Sequence, residues 1–244
     1  MLAFICAMQS EAESLLSLIK INKKIKVSQK TVYEGSFPSS RGAAIAAGWL
    51  YGLTGRQLPC VLIISGIGKV NAALCTQILI DKYKPETIIN AGVCGAVNKN
   101  LKIGGVYNVG KAVQYDFDLS KLNNCAVGKL EEFKNKFISV KNSAGMQGPR
   151  DLKILATGDR FSDDTADIIL LRKILKADLR DMEGAAIAQV CALNKMDLII
   201  IKAVTNHIGE GAIDGYKANL ALALNSLAEA LRAFITFSLY DTLL

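Results

Sequence analysis

Short apolar runs rich in isoleucine and valine recur along the chain, at Ala3–Ala7, Gly42–Gly48, Cys60–Ser65, Thr87–Ala91, Gly105–Lys111, Lys153–Thr157 and Leu198–Ala203. Their lengths, β-branched content and flanking glycine or polar residues predict strands. Several show no polar alternation, the pattern of strands buried on both faces. Between them, apolar residues at three-to-four spacing predict helices over Ser10–Lys20, Lys69–Tyr83, Asp164–Leu175, Glu183–Asn194 and Tyr216–Phe237. Strand and helix alternate to the end, which predicts a three-layer α/β/α sandwich around a central mixed, mainly parallel sheet. In such a fold function sits where loops leave the strand ends. The stretch Asn123–Asp151 is polar and glycine-containing around a short helix candidate, and reads as a surface excursion or a flap.

Composition narrows this picture. With 244 residues, 51% of them hydrophobic, the chain can bury one large core, so residues 1–244 are expected to form one domain. The modest 21% charged fraction and the absence of low-complexity runs argue against disorder. Met-Leu-Ala-Phe-Ile-Cys at the N-terminus has no basic residue ahead of its short apolar run, and reads as a first strand rather than a signal peptide. No apolar run approaches the roughly 20 residues needed to cross a bilayer. Six cysteines without a CxxC spacing point to free thiols in a reducing cytoplasm. With a single histidine, His207, no metal site is expected. The net charge of +7 comes from scattered lysines, which suits a basic surface better than a nucleic-acid partner.

Four segments carry candidate chemistry. In Ser65-Gly-Ile-Gly-Lys-Val-Asn a strand ends in a glycine-rich turn and a helix opens at once, leaving backbone N–H groups and a positive dipole end at a cleft. The same turn also serves merely to pack helix on sheet, and it lacks dinucleotide or P-loop spacing. Asn90-Ala-Gly-Val-Cys-Gly95 carries a buried strand into small residues, as where a backbone approaches a ligand closely. Thr157-Gly-Asp-Arg-Phe-Ser162 follows another strand. Arg180-Asp-Met-Glu-Gly-Ala-Ala puts acids at the mouth of a small-residue helix, where they act either as dipole caps or as site groups.

In their order and spacing these segments, with Ala7-Met-Gln-Ser-Glu11 after the first strand, resemble the purine nucleoside phosphorylase and nucleosidase family, and within it the methylthioadenosine and S-adenosylhomocysteine nucleosidases. The resemblance covers nearly the whole chain. It implies hydrolysis of an N-glycosidic bond in a purine nucleoside, without a cofactor. Glu11 stands where the family places the carboxylate that activates water. Met182 and Glu183 match the pair that holds the ribose. Phe161 matches the aromatic that stacks on the base, and the backbone of Ser162 the group that reads its edge. Further substrate contacts are implied for Met8, Val93, Cys94, Gly95 and Lys202. A homodimer is implied too, with an apolar side chain lent across the interface.

The sequence departs from the family's pattern at three positions. The last strand reads Lys202-Ala-Val-Thr-Asn206, where the nucleosidases end in aspartate, the acid that protonates the leaving adenine. Asn206 can only hydrogen-bond the base, since an amide is no general acid. An asparagine there fits a 6-oxopurine as in futalosine hydrolases and some phosphorylases, or a retired binding protein. Val93 replaces a serine, and Lys202 an arginine, keeping the charge but losing the fork. Against phosphorolysis, a carboxylate at Glu11 repels a phosphate dianion.

Overall fold

The computed structural model describes residues 1–37, 57–140, 152–161, 164–209 and 211–241, with side chains to residue 236. In chain order the elements are β1 (Leu2–Cys6), α1 (Gln9–Leu16), β2 (Lys20–Val27), β3 (Lys30–Phe37), β4 (Leu58–Ile64), α2 (Lys69–Tyr83), β5 (Thr87–Ala96), β6 (Val106–Gln114) and α3 (Ser120–Asn123). There follow β7 (Ile138–Ser139), β8 (Lys153–Thr157), α4 (Thr165–Ile169, prolonged by a π-helical turn to Ile174), β9 (Leu179–Asp181), α5 (Gly184–Leu193), β10 (Asp197–His207) and α6 (Ala212–Asp241). The expected strand at Gly42–Gly48 lies outside the described residues, as does Ser162.

The centre of the sheet is parallel, as the buried apolar runs predict: β1 lies between β4 and β5, and β5 also pairs with β10. The sheet then curls. Strand β10 pairs antiparallel with β6, β6 parallel with β8, β8 parallel with β9, and β9 antiparallel with β5. Five strands thereby close into a ring, and the flat edge is left to the β2–β3 hairpin beyond β4.

Helices cover both faces. Ala72, Cys75 and Leu79 of α2 and Ala185, Ile187 and Cys191 of α5 share one apolar cluster. Ala12 and Leu15 of α1 and Ala223, Leu227 and Leu231 of α6 share the other. Side chains along a strand alternate between faces, so β10 sends Leu198, Ile200 and Val204 to the first cluster and Ile199, Ile201 and Ala203 to the second. Each of the larger of these side chains, Leu, Ile or Val, contributes about 1.5–3 kcal/mol by leaving water. Lys202 falls at a position that this alternation gives to the core, and it is buried.

Strand β10 also carries a bulge. Its register against β5 runs regularly to Val204↔Cys94 and then jumps to Asn206↔Gly95, leaving Thr205 as the extra residue. Bulges bend a strand and re-aim the side chains beside them. The Thr205 hydroxyl lies 3.1 Å from the Cys94 carbonyl, spanning the break in the ladder.

Candidate active site

The ends of β1, β5, β8, β9 and β10 converge with the start of α6 on a cavity of about 540 Å³, within the range of small-molecule sites. Ala7, Met8, Glu11, Val93, Cys94, Gly95, Phe161, Met182, Glu183 and Asn206 all line it. Apart from Ser162, which is not described, and Lys202, every residue expected at the site is therefore brought together.

Glu11 lies in the first turn of α1 and is 3% exposed. One carboxylate oxygen accepts from the Ala7 and Met8 N–H groups, each at 2.9 Å, and the other from Val93 N–H of β5 at 2.8 Å. The bond to Met8 caps the helix; those to Ala7 and Val93 tie the carboxylate to two strand ends. The carboxylate thus caps α1 while facing the cavity. A methyl group at Gly92 would lie 2.7 Å from the Glu11 oxygen, so a larger residue there would displace the carboxylate. Burial pushes the Glu11 carboxyl above the ordinary carboxylate range, opposed by the Lys202 charge and by the three N–H donors.

Glu183, also lining the cavity, precedes the first turn of α5 and is buried. Its carboxylate accepts from Gly68 N–H at 2.9 Å, which draws the glycine-rich turn over the site. Gly68 has φ of 99°, a conformation that favours glycine. The next N–H, of Lys69, donates to Asp159 at 2.7 Å. Two amides at the mouth of α2 are thus already engaged by carboxylates of the chain. Burial raises the Glu183 pKa to about 7, with Asp181 adding to the rise and Lys202 opposing it.

Lys202 lies behind the cavity wall, 1% exposed, with its ammonium 2.8 Å from Asp181. Burial alone would lower its pKa, but Asp181, Glu183 and Glu11 outweigh that and hold it above the ordinary lysine range. Asp181 also accepts from the Thr157 hydroxyl at 2.5 Å and from Gly184 N–H at 2.9 Å. Lys202 is thus a counter-ion behind the wall rather than the substrate contact expected of it: it pairs with Asp181, which reaches the cavity, and its charge favours the ionised forms of Glu11 and Glu183.

Asn206 is 3% exposed, and its amide orientation is set by its neighbours. Its Nδ2 donates to the His207 carbonyl at 3.0 Å, an acceptor-only group, and the Thr205 hydroxyl lies 2.8 Å from its Oδ1. One N–H and one lone pair remain for a ligand. Phe161 is 47% exposed, and its ring meets Tyr216 edge-on at 6.1 Å. The Tyr216 hydroxyl reaches the Met8 sulfur at 3.6 Å.

Several lining residues carry no signal in the sequence: Ile67, Arg160, Arg180, Ile213, Tyr216 and Lys217. Arg180 stands beside Asp181, one of the two acids at the mouth of α5, and nothing in its spacing sets it apart from a solvated basic residue. Tyr216 begins an apolar helical pattern and carries no signal that distinguishes a ligand aromatic from a core one.

An α/β enzyme scaffold with two buried carboxylates lining one aromatic-walled cavity at the strand ends defines the class. The profile of the Phosphorylase superfamily matches residues 1–236, and the chain belongs to this family. It is 29% identical over 243 residues to the 5′-methylthioadenosine/S-adenosylhomocysteine nucleosidase of Buchnera aphidicola, covering 96% of this chain and 97% of that one. It is 30% identical over 231 residues to the aminodeoxyfutalosine nucleosidase of Campylobacter jejuni, covering 86% of this chain and 87% of that one. In fold it is similar to the futalosine hydrolase of Helicobacter pylori, with a TM-score of 0.82 at 21% identity, covering 96% of this chain and 97% of that one.

Proposed function

We infer that this protein is a purine nucleosidase that hydrolyses the N-glycosidic bond of a 5′-substituted purine nucleoside, of the kinds for which its relatives are named. The observation that carries the reading is Glu11, a buried carboxylate held by three backbone N–H donors at the cavity wall with raised proton affinity. A base of that kind takes a proton from water as its oxygen attacks C1′, while the C1′–N9 electron pair leaves with the purine. Glu183 accepts the ribose hydroxyl protons and favours the cationic sugar of the transition state. Met182 lies beneath the sugar and Phe161 stacks on the base, with Asn206 bonded to its edge.

Water is the nucleophile in this reading. The N–H groups of Gly68 and Lys69, which would greet a phosphate at the α2 terminus, are bonded to Glu183 and Asp159. The Lys69 ammonium is turned to Asp116 at 2.7 Å. A second reading, binding without turnover, rests on Asn206, which supplies no acid proton.

The reading includes a homodimer in the cytoplasm. Ile67 and Ile213 line the cavity yet are about half exposed, which suits an apolar side chain arriving from a partner subunit. All six cysteines are unpaired, in keeping with a reducing compartment.

The test is base release from 5′-methylthioadenosine, S-adenosylhomocysteine, inosine and futalosine, with and without phosphate, beside Glu11→Gln. Phosphate-independent release of base and free sugar, lost in Glu11→Gln, is expected. Release only with phosphate makes the protein a phosphorylase; binding without release at enzyme concentrations near the substrate's makes it a binding protein.

A further inference from the structure

We propose that Arg180 selects the base, favouring a purine with oxygen at C6 over adenine; the inference rests on the hydrolase reading above. Arg180 is a buried cation that lines the cavity, with its guanidinium carbon 5.5 Å from the centroid of the Phe161 ring. Strand alternation explains its direction. On β9, Leu179 joins the core and Asp181 turns to Lys202, so the intervening Arg180 turns the other way, toward Phe161. Its backbone registers with Gly95, and a Cβ on Gly95 would lie 3.5 Å from the Asn206 amide nitrogen. Cation and aromatic ring are therefore in contact in the lining of the same cavity that Asn206 lines, on a strand paired to the residue beside the Asn206 amide.

The chemistry of that lining favours an acceptor. Guanidinium donates and never accepts. The oxygen of a 6-oxopurine offers two lone pairs at C6, where adenine presents N–H donors to a cation. The same group answers the loss of a general acid at Asn206. As the C1′–N9 bond breaks, its electron pair enters the purine, and in a 6-oxopurine the charge spreads to O6. A fixed cation beside that oxygen stabilises the departing base without transferring a proton. Glu11 keeps the proton from water, the water oxygen bonds to C1′, and the base takes its proton from solvent after departure.

Two substrate pairs that differ only at C6 isolate this effect: inosine with adenosine, and 5′-methylthioinosine with 5′-methylthioadenosine. The wild-type enzyme is expected to show at least ~10-fold higher kcat/KM for the 6-oxo member of each pair, as a charged hydrogen bond allows. Arg180→Met should lose ~100-fold on the 6-oxo substrates while changing less than about threefold on the adenine ones, and Arg180→Lys should recover part of the loss. Equal losses on both members, or a wild-type preference for adenine, would overturn the proposal while leaving the hydrolase reading intact. If the wild type cleaves none of the four, the hydrolase reading fails instead. Equilibrium binding of hypoxanthine against adenine then decides Arg180: hypoxanthine bound more tightly, with the preference abolished in Arg180→Met or reduced in Arg180→Lys, supports it, and equal binding overturns it.

Discussion

Glu183 is a carboxyl whose pKa is raised by burial from 4.5 to about 7, so it holds its proton more tightly in the folded chain than in the unfolded one. Between those two values the folded state binds more protons, and the contribution of this group to stability falls as pH rises through about 7. Glu183→Gln removes that penalty and keeps an oxygen for Gly68 N–H. The variant should melt higher than wild type at pH 8.5, by on the order of 5 °C, with the gap closing at pH 5. Its kcat/KM should fall by ~10²-fold or more, since an amide holds a ribose hydroxyl less well than a carboxylate. Lys202 is the opposite case. Lys202→Met leaves Asp181, Glu11 and Glu183 without the buried cation beside them, and should cost about 3–5 kcal/mol in denaturant unfolding at neutral pH. The loss should shrink at acid pH as the carboxyls protonate. At this scale Glu11, Glu183, Met182, Phe161 and Asn206 were legible because each sits in an ordered motif. The pairing of Lys202 with Asp181 was not legible, because it joins residues on two strands whose adjacency only the fold creates.

Strand and helix existence was legible wherever the apolar pattern was long. Helix α2 spans Lys69–Tyr83 as the spacing predicts, and β8 spans Lys153–Thr157. The β2–β3 hairpin escaped notice because Ser28 and Gln29 take its turn at φ of 46° and 63°, without the Asn-Gly signal that usually marks such a turn. The helix expected over Asp164–Leu175 is split, with a π-helical turn at Leu170–Ile174 that shares the 3.6-like apolar spacing and so leaves no separate trace in sequence. Strands β5 and β10 run past their apolar stretches into small or polar residues, and those extensions are what deliver Val93, Gly95 and Asn206 to the cavity. Gly92 tests the delivery. A Gly92→Ala methyl would press on the Glu11 oxygen at 2.7 Å and the Lys202 ammonium at 3.4 Å. Displacement of the carboxylate by an ångström should lower kcat/KM ~100-fold, with a Tm change that circular dichroism reads as small beside that of Lys202→Met.

Among the described residues the sheet divides into a closed part and an open one. The ring of β5, β10, β6, β8 and β9 satisfies its strands on both sides, while β2 pairs only with β3 among the described residues. Alternation of strand and helix foretold the layers but not the ring, since closure depends on short pairings such as Gly95↔Arg180 that leave no periodic mark. Amide hydrogen exchange should separate the two parts, with β5 and β10 protected to near the global unfolding free energy and β2 exchanging first. Comparable protection across β2 and β10 would show that the hairpin is no looser than the ring.

That open strand reads Lys-Ile-Asn-Lys-Lys-Ile-Lys-Val and is exposed along most of its length. An unpaired strand edge is a template for a neighbouring chain, and lysine is the side chain that best blunts it. Much of what the +7 net charge does is thereby local: four ammonium groups make one flank of the molecule repel its own copies. Colloidal stability should then depend on the electrolyte, because the repulsion reaches about 10 Å at 0.1 M salt and only about 3 Å at 1 M. Concentrated stocks would keep best in dilute buffer, and salting should bring them together edge to edge.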